Sequence, residues 1–109
     1  MRHGQVKAIV NGTVYTPDEV IASGVVLIEE NTITAVGSAG TTPVPPEAKL
    51  IEAGGMAVVP GLIDVLGLHK GRLAPGYDAD VVLLNEALRL ALTIVGGEEV
   101  FRREGVLFS

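Results

Sequence analysis

The sequence predicts an all-β fold, a small β-sandwich of about eight strands. Short runs rich in β-branched and apolar residues recur along the chain, and Gly, Pro or Asn turn signals separate them about every ten residues. No internal repeat or coiled-coil heptad appears. Val6–Val10 is an apolar run ended by Asn11-Gly12, and Thr13–Thr16 resumes the pattern, so Asn-Gly predicts a first hairpin there. Gly24–Glu30 reads as a strand, Asn31-Thr32 as a turn and Ile33–Val36 as the returning strand. Residues 37–48, with three Pro among small residues, predict a loop. Lys49–Ala53 and Met56–Val59 are short β-type runs split by Gly54-Gly55, and Leu62–Val65 follows the Pro60-Gly61 break. Residues 66–80 have no clear period, whereas Val81–Leu84 suits a buried strand. Leu88–Val95 alternates closely enough to favour strand, although "NEALRLAL" alone fits a helical turn; Gly96-Gly97 and Glu98–Arg103 then complete a further hairpin.

The 109 residues make room for one domain, which on size scaling buries roughly 65% of the surface its unfolded chain exposes. Apolar residues make up 48% of the chain, yet Pro, Gly, Asp or Arg interrupts every long apolar run. None approaches the roughly 20 residues of a spanning helix. The start, "MRHGQVKAIVNG", lacks the apolar core of a secretory signal, so a cytoplasmic location is expected. Cysteine is absent, which excludes disulfides, thiolate catalysis and Cys-based zinc sites. A net charge of -5 with scattered basic residues works against nucleic acid and anionic membranes. With 4% aromatics and no Trp, the chain also lacks the stacking platforms of a glycan or single-strand binder.

The densest stretch, "VVPGLIDVLGLHKGRLAPGYDADVVLLN" (residues 58–85), holds the candidate site residues. A metal-hydrolase reading recruits His69 with Asp64, Asp78 and Asp80, because imidazole and carboxylate suit Zn, Fe or Mn and a bound water would become the nucleophile. The spacing works against it: His69 has no second His within four residues, and the other, His3, lies near the N-terminus. The plainer reading is an exposed loop His beside Lys70. In "PGYDAD", Pro75-Gly76 makes a turn whose backbone N–H groups Asp78 and Asp80 accept, just before the strand Val81–Leu84. Asp64 serves equally as a buried anchor or a turn acceptor. Glu29-Glu30 and Glu98-Glu99 lie beside turns as solvated faces, no Gly-rich phosphate loop is present, and Ser23, Ser38 and Ser109 have no His placed to activate them.

"VVPGLIDV" and "HKGRLAPGYDADVVLLN" resemble two segments of the metal-dependent amidohydrolases, and within that superfamily "LRLALTIVGGEEVFRREG" is most similar to N-acetylglucosamine-6-phosphate deacetylase. The resemblance implies a composite β-sandwich built from both chain ends. In the family, a strand-rich N-terminal segment ends in Pro-Gly-x-x-Asp and runs into a (β/α)8 barrel of roughly 250 residues, whose first strand carries a His-x-His metal motif or a variant of it. The chain later returns through Lys-Gly-x-Leu-x-Pro-Gly-x-Asp-Ala-Asp to finish the same sandwich. Here the His-x-His positions hold Leu66 and Leu68, and "LGLHKG" resembles the exit from the barrel. Residues 1–65 thus resemble the N-terminal family segment and 66–109 the C-terminal one, with the barrel left out at about Val65-Leu66. The clean junction favours removal of a whole domain over gradual decay.

The resemblance implies a parent enzyme using a divalent metal such as Zn or Fe, while this chain lacks the metal ligands, and neither a cofactor nor activity is expected of it alone. The expected role is that of a non-catalytic structural domain. The alternatives are part of a metal-dependent hydrolase completed by a separate barrel chain, or a small binding module. Leu62, Ile63, Val65, Leu66 and Leu68 flank the junction, and their exposure after loss of the barrel predicts self-association through the barrel-facing surface.

Overall fold

The computed structural model describes residues 5–61 and 72–103. These form eight strands and no helix: β1 (Val6–Tyr15), β2 (Val20–Glu29), β3 (Thr32–Ser38), β4 (Lys49–Glu52), β5 (Ala57–Pro60), β6 (Val81–Leu84), β7 (Leu90–Val95) and β8 (Glu98–Arg102). One hydrogen-bonded path links them in the order β3-β2-β1-β5-β6-β7-β8, with β4 also paired to β1. β4 and β5 run parallel to β1; every other pair is antiparallel. The all-β expectation holds, with the two packed faces supplied by a single sheet that bends back on itself. Ile9, Val26, Ile28 and Ile33 of β1–β3 share one buried cluster with Leu83, Leu92 and Ile94 of β6 and β7.

The bend has a local cause. Asn11-Gly12 does not turn the chain: β1 continues through it for ten residues, with Asn11 in the left-handed region at φ 67° and register shifts on either side of Gly12. Opposite Gly12 stands Gly24, preceded by Ser23 at φ 51°. Each extra residue moves the side-chain alternation to the other face. Before the bulge Ile9 points into the main cluster, and after it Val14 does; in β2, Ile21 and then Val26 make the same exchange. The neighbouring line breaks at the same level, where Ala53–Met56 separates β4 from β5, tied by Ala53 N–H to the Val10 carbonyl (2.8 Å) and Thr13 N–H to the Met56 carbonyl (3.0 Å). Gly is required at positions 12 and 24, because a Cβ would come within 2.6 Å of Val58 at the first and 2.5 Å of Val14 at the second. The first hairpin instead turns at Thr16–Glu19. There Thr16 Oγ1 accepts the Glu19 N–H (3.0 Å), and Thr16 N–H donates to the Glu19 carbonyl (2.9 Å).

The opposite face of β1–β3 is also covered. Ala8, Val25 and Leu27 form a second buried cluster, packed by Val10, Ala35, Val44, Ala48 and Leu50, so the Pro-rich loop after β3 serves as a lid over the sheet. The continuous run Val25–Ile28 is therefore apolar because β2 is buried on both faces. The predicted strand Leu62–Val65 lies outside the described residues.

Candidate functional site

Residues 72–80 cross one edge of the folded sheet without forming a strand of their own. Gly76 N–H donates to the Ile33 carbonyl (2.8 Å), Ile33 N–H to the Tyr77 carbonyl (2.9 Å) and Ala79 N–H to the Asn31 carbonyl (2.9 Å). A bridge pairs Thr32 with Asp78. The segment stitches the β2–β3 turn to the start of β6.

Asp80 is 1% exposed, and its Oδ1 accepts the Gly96 N–H at 2.8 Å. It therefore fastens the β7–β8 turn sixteen residues onward, where the sequence placed its acceptor role in the Pro75-Gly76 turn. Gly97 N–H donates to the Ala79 carbonyl (3.0 Å), and the buried Lys7 ammonium donates to the Gly97 carbonyl (2.9 Å). A Cβ on Gly97 would collide with the Glu30 carbonyl. Three turns thus meet around Gly97, where Asp80 Oδ1 and the Lys7 ammonium each bond a backbone group of the β7–β8 turn. The sequence held a signal for Lys7, a lone charge inside an apolar β-run, but its partner is ninety residues away.

Among the sequence candidates, Asp78 is half-buried and Asp80 buried within this junction; Asp64, His69 and His3 lie outside the described residues. Among the described residues no group of three or more His, Asp or Glu side chains comes together to hold a metal ion. Among the described residues Asp80 Oδ1 is engaged by the Gly96 amide and no imidazole is present, so these residues by themselves gather no ligand set for the divalent metal that the resemblance implies. Ser38 Oγ lies 2.9 Å from Thr41 Oγ1, and Ser23 takes a left-handed φ of 51° beside the bulge. Glu99 departs from the expected solvated face. It is half-buried and bonded by Arg102 (Nε–Oε2 2.6 Å, Nη2–Oε1 3.1 Å), which holds its carboxyl below the usual range and raises the guanidinium. The register shift beside Thr93-Ile94 inserts an extra residue between them, which puts positions three apart on one side of a strand.

Pro60 and Arg72 line the same groove of about 330 Å³ with Tyr15, Thr16, Pro17 and Leu73. A second hollow of about 220 Å³ adjoins it and adds Asp18, Glu19, Ile21, Val36, Ala74 and Pro75. Arg72 stacks over the Tyr77 ring at 5.8 Å. These grooves carry turn residues and apolar walls, with no nucleophile–base pair among the described residues.

No helix of the described residues is long and apolar enough to cross a membrane. Neither a family model nor a curated protein matches the chain. Among solved structures the chain is similar to molinate hydrolase (33% identity over 59% of this chain and 14% of that one, TM-score 0.48). It is also similar to dihydropyrimidinase from Brevibacillus agri (35% identity, 55% and 12%, TM-score 0.44). A third is β-aspartyl dipeptidase from Fervidobacterium islandicum, solved with a β-Asp-Leu dipeptide (35% identity, 59% and 16%, TM-score 0.44). The chain spans 12–16% of the length of these three proteins.

Proposed function

We propose that the chain is the non-catalytic β domain of an amidohydrolase-type enzyme, of the N-acetylglucosamine-6-phosphate deacetylase kind, with a structural role. The observation that carries this reading is the seam between the two resembling segments. β5, ending in the Pro60 of "VVPG", pairs antiparallel with β6 directly after "PGYDAD", with Pro60 opposite Val81 and Gly61 N–H donating to the Asp80 carbonyl (2.9 Å). Pro60 and Arg72 line one groove, so positions on either side of the junction between the two resembling segments lie close together. A long insertion between them would leave all eight strands paired. Such a site accepts a domain at little cost to the fold.

The reading assigns the chemistry to the part not carried by this chain. Purified protein supplied with Zn, Fe or Mn is expected to leave N-acetylglucosamine-6-phosphate intact, because three or four protein ligands are needed for a metal centre. Metal-dependent hydrolysis that disappears in His69→Ala would overturn it.

A further inference from the structure

We propose that two copies of this chain pair antiparallel through β8, joining their sheets edge to edge about a two-fold axis. β8 ends the hydrogen-bonded path of the sheet. Its central residues are apolar and exposed, Val100 at 61% and Phe101 at 42%. The flanking charges are sorted by sign: Glu98 and Glu99 precede the apolar pair, Arg102 and Arg103 follow it. Read antiparallel against itself, Glu-Glu-Val-Phe-Arg-Arg is complementary at every position. Glu98 faces Arg103 of the second copy, Glu99 faces Arg102, and Val100 faces Phe101.

Backbone geometry fits the same register. Val95 and Glu98 close the Gly96-Gly97 turn, and Arg103 N–H donates to the Ala91 carbonyl (2.7 Å). With the bulge between them, the alternation directs the N–H and C=O of Glu99 away from β7 and toward the outer side of β8, the last strand of the path among the described residues. In the proposed register Glu99 is a hydrogen-bonding partner of Arg102 in the second copy, and the two bulges sit together at the axis. The internal Glu99–Arg102 pair persists and becomes half of a four-charge cluster. Charges and bulges ordinarily protect an edge against pairing. Sorted by sign, they protect selectively: parallel pairing sets Glu beside Glu and Arg beside Arg, and a shifted antiparallel register sets charge against Val or Phe, each unfavourable. A contact made through one short strand is isologous and concentration-dependent.

The test is sedimentation equilibrium of the full chain and of two charge-inverted variants, Glu98→Arg with Glu99→Arg, and Arg102→Glu with Arg103→Glu. The wild type is expected to dimerise with rising concentration, each variant alone to remain monomeric, and an equimolar mixture of the two to recover the dimer. A monomeric wild type, variants that dimerise alone, or folded variants that fail to recombine would each overturn the proposal. Should a variant not fold, amide exchange on the wild type decides: the Glu99 amide slows at least about tenfold on dimerisation, and exchange at Glu99 that is independent of concentration counts against pairing. This association does not depend on the enzyme family, so the hydrolysis assay and the sedimentation result fail separately.

Discussion

Residues 5–61 and 72–103 are both β-structure in one sheet, yet they differ in how they are covered. The first part contributes to the main core and also owns a second one, with Ala8, Val25 and Leu27 under the Pro-rich loop. The second part contributes Leu73, Ala79, Val81, Leu83, Leu92 and Ile94 to the shared core and has no separate one among the described residues. Its last strand presents Val100 and Phe101 to solvent. A strand with both faces covered needs an unbroken apolar run; a strand covered on one face keeps its polar side chains for turns, ion pairs and contacts with other molecules.

The most severe way to break this comparison is to separate the parts. Expressing residues 1–65 alone removes Leu83, Leu92 and Ile94 from the cluster that buries Ile9, Val26, Ile28 and Ile33 and frees the edge of β5, leaving only the small second core complete. We expect an unfolded or aggregating chain by circular dichroism and light scattering. A monomeric fragment that melts cooperatively would show that the second core suffices.

Single truncations then compare the cores. Ile28→Ala, at a site 0% exposed in the shared core, is expected to cost about 2–5 kcal/mol in urea unfolding, since the surrounding strands cannot close over the cavity. Leu27→Ala, in the loop-covered core and 9% exposed, should fall at the low end of that range of about 2–5 kcal/mol, because a loop relaxes more readily than a paired strand. Equal losses would remove the distinction.

A smaller effect is expected where the second part ties its turns. Asp80→Ala leaves the Gly96 N–H without this buried acceptor, a loss of about 1–3 kcal/mol. Asp80→Asn retains an acceptor oxygen and should recover much of it. The same unfolding experiment checks both; an alanine variant as stable as wild type would mean that the β7–β8 turn holds without the carboxylate.

Local patterns made most strands readable in the sequence. Runs such as Val25–Ile28 and Val81–Leu84, and the Gly54-Gly55 and Gly96-Gly97 breaks, fall where periodicity places them. Asn11-Gly12 misled because a left-handed residue followed by Gly serves a bulge as well as a turn; the choice depended on Gly24 lying opposite. Thr16-Pro17-Asp18 carried the turn chemistry of the true hairpin, with a side-chain acceptor at the first position and Pro at the second. Asp80 was recognisable as a backbone acceptor, although its donor could not be read locally, since it arrives from another hairpin. Lys7 and the Glu99–Arg102 pair depend on tertiary neighbours and on a bulge that no periodicity announces.

That pair supplies the smallest and most specific test of the contrast between buried and exposed regions. Glu99 is held below the ordinary carboxylate range chiefly by the hydrogen bond from Arg102, with burial opposing the shift. A carboxyl with a depressed folded-state pKa contributes its stability in full above the unfolded pKa and loses it as pH falls through the folded one. The contribution should therefore be present at neutral pH and disappear on acidification below the usual Glu range. Glu99→Gln should remove that acid-side dependence while changing neutral-pH stability little, because water reaches this half-buried pair and partly screens it. The measurement is the difference between wild-type and variant urea midpoints across the acid range, at a protein concentration low enough to keep the chain monomeric. A constant difference would mean that Arg102 stabilises the bulged strand through its packing, and that the charge on Glu99 contributes nothing to the fold.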